Sequence, residues 1–348
     1  MSRETYFFLL SGEYEGLPAA ELRSTLRILD PDCEFLYVAS GRVAAAKTVE
    51  KTAREAVIRA AFTKLSGKLV IEVPTDEKAI LNSVGEDVLR AIFPRGAKTF
   101  MVRGKRIQGV EVNMPRLERI IGAKVLEKMP WLKVSLTKPD VTVFILSSRE
   151  KTFIGPLVAV KPRKFFADRI AGRRPFSLPS AMQPDFSRAM VNLAEVSFEG
   201  RILDPFAGTG GILIEAGLME YMVYGVEFKD WIARGGLRNL ERYIPGRKDV
   251  IVGDARALMF REECFDAIVT DPPYGRSTTV PDESISTLLS KFFQEGTRVL
   301  KKKGRIVLAV PADIDLKEIA SKHGLRIVEE HTARVHGSLT RRVVVLEK

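Results

Sequence analysis

Asp271-Pro272-Pro273-Tyr274-Gly275 is the most specific chemical signal in the chain. Each proline locks its φ at about −65°, so the carboxylate of Asp271 sits beside a rigid backbone. That arrangement suits attack by an aromatic amine on an electrophilic methyl group. Such an amine is a poor nucleophile, because its lone pair is delocalised into the ring. Asp271 and the carbonyl of Pro272 can each accept one N–H, which turns the lone pair towards the methyl. Asp271, or a water behind it, can take the departing proton, a contribution of about 10²–10⁴-fold. Tyr274 offers a ring on which a base can stack, worth on the order of 1–3 kcal/mol. A turn built from proline and glycine for purely structural reasons is the plain alternative. Carbon methylation of a pyrimidine at C5 would need a cysteine nucleophile, and neither Cys33 nor Cys264 lies in this loop. The histidines, His323, His331 and His336, follow the motif without metal-ligand spacing, and no metal is expected.

A second cluster lies upstream. Asp204-Pro-Phe206-Ala-Gly208-Thr-Gly210-Gly211 follows a short apolar run and opens an amphipathic one. A phosphate-binding loop would need Lys and Ser/Thr after its last glycine, and neither is present. A dinucleotide fingerprint would need glycine where Leu213 stands. An S-adenosylmethionine loop remains: the glycines let the backbone approach the ligand, and Asp204 can meet the methionine ammonium. Glu227 ends the next strand, where a carboxylate can accept both ribose hydroxyls. Asp254, in Gly253-Asp254-Ala255-Arg256, is placed to accept from the adenine amino group. One such acid would be an ordinary solvated loop residue. Three at successive strand ends line one crevice, and S-adenosylmethionine is the expected cofactor, held by Asp204, Phe206, Gly208, Gly210, Glu227, Asp254 and Ala255.

The elements that must position these residues are legible in the periodicity. From about residue 200, short apolar runs at 201–204, 222–227, 250–252, 265–270 and 305–310 alternate with amphipathic stretches, which implies parallel βαβ units. Two closing runs, 325–330 and 342–346, have a short connection and should pair antiparallel. The first half reads as two small α+β units, about 1–75 and 76–160, with a helix at 18–27 and another at 49–65. The latter carries Ala53, Val57, Ala60, Ala61 and Leu65 at helical spacing. The linker 161–175 holds six basic residues against one acid, with Phe165 and Phe166 embedded.

Charge is segregated. The net charge is +11; residues 1–175 hold 31 basic and 20 acidic residues, whereas 176–348 hold 24 of each. One half is therefore suited to grip a polyanion. No apolar run approaches the ~20 residues of a membrane helix, and the cysteine usage fits a reducing compartment. A cytoplasmic protein acting as a monomer, without a membrane partner, is expected.

With these motifs in this order, the C-terminal half resembles the Rossmann-fold amino-methyltransferases. Lys98-Thr-Phe-Met-Val-Arg103 followed by a helix, then Pro139-Asp140-Val-Thr-Val-Phe-Ile145, is similar to a THUMP domain, a tRNA-binding module. Arg174-Pro-Phe176, Met182-Gln-Pro184 and Arg188-Ala-Met-Val-Asn192-Leu-Ala194 fit the lead-in to the catalytic domain. Over nearly the whole chain the resemblance is to the archaeal tRNA guanine-10 N2-methyltransferases. It implies an α/β fold: an N-terminal ferredoxin-like domain (1–75), THUMP (76–160), a basic linker (161–175) and a methyltransferase domain (176–348). The last would hold a mostly parallel seven-stranded sheet ending in an antiparallel hairpin. It further implies transfer of one or two methyl groups to N2 of guanosine 10 in tRNA. Catalysis would fall to Asp271, Pro272 and Tyr274. RNA binding would fall to Arg95, Lys98, Arg103, Lys105, Arg106, Lys161, Arg163 and Lys164. An N2-guanine enzyme for another tRNA or rRNA site shares the chemistry, as does a DNA adenine-N6 or cytosine-N4 methyltransferase, although no groove reader stands in the first half. A non-catalytic RNA-binding protein would be expected to have lost Asp271 or the cofactor acids.

Overall fold

A computed structural model describes residues 2–273, 284–336 and 339–348. Two compact units emerge: Met1–Glu13, Leu29–Ile58 and Phe62–Pro162 form the first, and Tyr14–Ile28, Arg59–Ala61 and Arg163–Lys348 the second. Among the described residues, no helix is long and apolar enough to cross a membrane.

Residues 4–160 run through β1 (Glu4–Leu10), α1 (Leu17–Leu29), β2 (Glu34–Ala39), β3 (Val43–Thr48), α2 (Glu50–Arg59), β4 (Thr63–Lys68), β5 (Ile71–Pro74), α3 (Glu77–Ser83), α4 (Glu86–Ile92), β6 (Thr99–Arg106), α5 (Met114–Lys128), β7 (Lys133–Val134), β8 (Val141–Ser147) and β9 (Lys151–Val160). The strands make one sheet, ordered β2-β3-β1-β4-β9-β8-β6-β7, with β5 also paired to β9. The two α+β stretches read from sequence thus share a sheet, joined where β4 pairs with β9 (Leu65 opposite Val160). Phe7 of β1 stacks on Phe144 at 6.5 Å and leans on Phe153 at 6.2 Å, so both stretches also share one core. The expected helix 49–65 is corrected by this pairing. It stops at Arg59, and Leu65 is buried on β4 between two antiparallel neighbours. Ladder hydrogen bonds to β1 and β9 outweigh a helical spacing that Leu65 matched by coincidence.

The second unit continues with α6 (Pro184–Leu193), β10 (Arg201–Asp204), α7 (Gly211–Gly217), β11 (Met222–Glu227), α8 (Asp230–Tyr243), β12 (Lys248–Val252), β13 (Phe265–Thr270), α9 (Ile285–Val299), β14 (Leu300–Pro311), α10 (Leu316–Ser321), β15 (Arg326–His336) and β16 (Leu339–Glu347). Its seven-stranded sheet has the order β12-β11-β10-β13-β14-β16-β15. The first five strands are parallel, and β16 runs antiparallel between β14 and β15, as the alternation and the closing hairpin predict. Strand order reverses between β10 and β13, the place where an open sheet leaves a crevice beyond its carboxyl edge.

Two features of this unit were not legible. Helix α1, from the N-terminal stretch, belongs to it: Glu21 is fully buried and accepts from the Ala61 amide (2.5 Å) and Asn192 Nδ2 (2.8 Å), while Ser24 donates to Glu195 (2.8 Å). The basic linker is also partly interior. Glu215 of α7 is wholly buried and pairs with Arg169 and Arg188, each at 2.7 Å. Both guanidinium groups lie over the rings of Phe165 and Phe166 at 5.2–5.7 Å. Arg174 is buried as well, donating to the Arg169 carbonyl at 2.7 Å. A buried charge without its partner is costly, so Glu215→Gln should destabilise the second unit by about 3–5 kcal/mol in a urea titration. A loss under about 1 kcal/mol would mean that the guanidinium groups do not depend on this carboxylate.

Candidate active site

The sheet brings the expected acids to one edge. Asp204 ends β10, Glu227 ends β11, Asp254 stands two residues past β12, and Asp271 directly follows β13. Asp204 is 2% exposed, and its Oδ1 accepts from the Phe206 amide (3.1 Å) and from Thr270 Oγ1 (2.7 Å). Burial, reinforced by the charges of Asp271 and Glu227, pushes its pKa up to about 7 despite those donors. Glu227 and Asp271 end or follow the two strands that flank β10 in the sheet, so all three carboxylates stand at the same carboxyl edge.

The glycine turn is held against β11. The Ala207 amide donates to the Val226 carbonyl (2.9 Å), and the Gly208 amide to Glu227 Oε2 (3.0 Å). Gly208 has φ +49° and Gly210 +77°, the left-handed region that glycine enters without strain. At Gly210 a Cβ would also lie 2.5 Å from Leu240. Glu227 Oε1 accepts from the Lys229 amide (2.9 Å), so each of its oxygens has one backbone donor and keeps a lone pair for a ligand hydroxyl. Phe206 packs edge-on against Phe292 at 5.5 Å. Asp254 differs from expectation. Its carboxylate is clasped by Arg256, with Nη2 at 2.7 Å and Nε at 3.0 Å, which holds its pKa below the usual range. An adenine amino group would share it with that guanidinium. Ala255, beside it, is buried.

Asp271 is the least satisfied of the four. Its side chain is 19% exposed, Oδ2 accepts from Arg341 Nη1 at 3.1 Å, and buried Oδ1 has no donor among the described residues. Burial pushes its pKa up to about 6, and Arg341 opposes that rise. Pro272 is buried. Tyr274 and the loop 276–283 lie outside the described residues. Thr270 and Arg341 were missed from sequence. Thr270 reads as an ordinary strand residue. The signal for Arg341 is weak: two adjacent arginines stand near the start of an interior strand, where a charge must find a partner.

Of the residues expected to bind RNA, Arg95, Lys98, Arg103, Lys105 and Arg106 are exposed, the last three on β6. Arg103 lies 3.7 Å from Glu118, and Arg106 donates to the Val110 carbonyl (2.7 Å). Desolvation, and after it the charges of Lys64 and Arg42, lower the pKa of Lys105. Lys161 is half-buried and donates to the Val57 carbonyl; Arg163 and Lys164 are exposed. Among the described residues, no group of three or more His, Cys, Asp or Glu could hold a metal ion.

Comparison with known proteins matches residues 171–343 to a family described as an RMKL-like methyltransferase domain, and residues 75–155 to the THUMP domain. The tRNA (guanine(10)-N2)-dimethyltransferase of Pyrococcus abyssi is 40% identical over 78% of this chain and 83% of its own length. The protein of that name from Methanothermobacter thermautotrophicus is 34% identical over 98% of both chains. Among solved structures, TrmN from Thermus thermophilus shares the fold, with a TM-score of 0.54 and 21% identity over 99% of this chain and all of its own.

Proposed function

The chain belongs to the tRNA (guanine(10)-N2)-dimethyltransferase family, and we infer from its site that the acid-lined crevice of the second unit performs methyl transfer to N2 of guanosine 10 in tRNA. The protein is an S-adenosylmethionine-dependent tRNA guanine-N2 methyltransferase, and it works here as a cytoplasmic monomer. The carrying observation is that Asp204, Glu227 and Asp271 stand at the carboxyl ends of neighbouring parallel strands where strand order reverses, with one buried oxygen of Asp271 lacking a donor among the described residues.

S-adenosylmethionine fits these residues: a buried acid for the ammonium, a two-oxygen acceptor for the ribose, and a glycine turn that admits close approach. Bound there, it supplies an electrophilic sulfonium methyl. Asp271 Oδ1 and the Pro272 carbonyl accept the two N–H groups of the guanine amine and orient its lone pair. Asp271, or a water beside it, would take the proton that the amine gives up. The exposed basic residues in and just before β6, with Arg163 and Lys164, serve as phosphate contacts.

Labelled methyl transfer to total tRNA compared with duplex DNA, followed by nucleoside identification, tests this directly. N2-methylated guanosine at position 10 is the expected product. Methylated adenine or cytosine in DNA would overturn it.

Asp204 gives a pH signature. Its folded pKa, about 7, lies above its ordinary 3.8, so the neutral form is favoured in the ligand-free fold. That stabilisation is complete below about pH 4 and is lost as pH rises through about 7. Asp204→Asn keeps an Oδ1 for the Phe206 and Thr270 donors but removes the charge. It should therefore raise the melting temperature of the ligand-free protein at about pH 8, by a few kcal/mol equivalent, and change it little at about pH 5. Ammonium binding needs the charged form, so wild-type affinity for S-adenosylhomocysteine should fall up to about tenfold per unit below pH 7. The variant should bind weakly at every pH. A flat wild-type titration would remove Asp204 from the ammonium site.

A further inference from the structure

We propose that Arg341 is a positioning residue for methyl transfer: it fixes Oδ2 of Asp271 so that Oδ1 is left as an ionised acceptor for the target amine. The inference rests on the reading of the crevice above and adds a residue that neither sequence motif contains. Arg341, third residue of β16, lies opposite Pro311 on β14 and Ala333 on β15, and so belongs to the same sheet edge as Asp271. Its side chain is only 11% exposed, and Nη1 reaches Asp271 Oδ2 at 3.1 Å. Among the described residues, the other charges named on this sheet edge are Asp204 on β10, Glu227 on β11, and Asp254 paired with Arg256 beyond β12. Neighbouring Arg342 points elsewhere, to Glu330 at 2.9 Å and the Ile314 carbonyl. Among these groups, Arg341 is therefore the cation that opposes protonation of Asp271.

The consequence is chemical. A protonated Asp271 would present a donor to an amine that also donates, and could take no proton from it. Burial drives Asp271 towards that form, and the guanidinium counters it. One contact at Oδ2 also stops the carboxylate from rotating. Arg341 acts through Asp271 and has no role assigned towards the cofactor.

Single-turnover methylation of tRNA at S-adenosylmethionine concentrations that saturate the site at every pH, from about pH 5.5 to 9, separates this from a structural role. Wild-type rates should fall as pH drops through about 6. In Arg341→Met the acidic limb should move to higher pH. The rate would then be reduced about tenfold or more near pH 7, with most of it recovered near pH 9. Arg341→Lys should keep the limb close to wild type. Both variants should bind S-adenosylhomocysteine within a few fold of wild type at about pH 8. In ligand-free protein labelled with ¹³C-aspartate, the Asp271 carboxyl resonance, assigned by its loss in Asp271→Asn, should titrate at higher pH in Arg341→Met. A pH profile parallel to wild type, together with an unshifted resonance, would overturn the proposal. Should wild type yield no methylated guanosine, the functional reading fails instead, while the resonance still decides whether Arg341 sets the state of Asp271.

Discussion

Replacing Asp271 with alanine is expected to slow single-turnover methyl transfer by at least about 100-fold, with affinities for S-adenosylhomocysteine and tRNA kept within a few fold. The size follows from what the side chain does for the amine. Its undonated oxygen supplies a hydrogen bond that orients the lone pair, and the same carboxylate is a destination for the proton. A hundredfold is about 2.7 kcal/mol of barrier, reasonable for losing an oriented acceptor in a water-poor site. The affinities should hold because this acid makes no assigned contact to the adenosine or the phosphates. Asp271→Asn discriminates further: it keeps an acceptor oxygen but cannot accept the proton, and it leaves Arg341 facing a neutral amide. Its rate should lie between those of wild type and alanine. Near-normal turnover in Asp271→Ala would rule out this mechanism, whereas an equal loss of cofactor affinity would make the residue part of the binding site. Tyr274, expected to stack on the base, lies outside the described residues. Tyr274→Ala should still slow transfer more than Tyr274→Phe, which keeps the ring.

How much of this was legible depended on whether a signal was local. Asp204, Glu227, Asp254 and Asp271 each stand at the end of a β-like run, and parallel strands carry such ends to one edge. Sequence order alone therefore brought the four acids to one sheet edge. The glycine turn was equally local, since it needs residues that tolerate φ +49° and +77° at Gly208 and Gly210. What escaped depends on partners far along the chain. Arg341 and Asp271 are 70 residues apart, and Arg169 and Glu215 are 46 apart. Nothing within either segment marks its charge as buried. Arg169 and Arg174 read as part of a basic surface because composition does not distinguish a solvated guanidinium from an interior one. Helix α1 was similarly opaque. Its apolar face shows that it packs, but the choice of partner is fixed by Glu21 meeting Asn192, 171 residues away. Leu65 failed for a third reason: a short apolar run fits helix and strand alike until a neighbouring strand offers ladder bonds.

Neutralising the basic cluster of the full-length chain should produce the other large effect. Removal of residues 1–160 would be a poor test, because it takes away α1 and with it the buried contacts of Glu21 and Ser24 in the catalytic unit. Point substitutions avoid that loss. Arg95, Lys98, Arg103 and Arg106 are exposed around β6, and Arg163 and Lys164 are exposed farther along the chain. Lys161 is omitted, since its ammonium already serves the Val57 carbonyl. Residues 176–348 carry no net charge, so the electrostatic grip on tRNA must come from the first half. Each lost phosphate contact keeps counterions on the RNA and lowers the slope of log affinity against log salt by about 0.7–0.9. Changing all six to glutamine should therefore flatten the slope by roughly 4–5 and weaken binding by on the order of 10³-fold at low salt. Turnover on tRNA at sub-saturating concentration should fall in proportion, while S-adenosylhomocysteine binding should be unaffected. The discriminating quantity is the slope. Single changes at phosphate contacts subtract from it one at a time, whereas a merely solvated basic face changes affinity weakly and leaves it unaltered. If the sixfold variant bound tRNA with the wild-type salt slope, these residues would not be the RNA contacts.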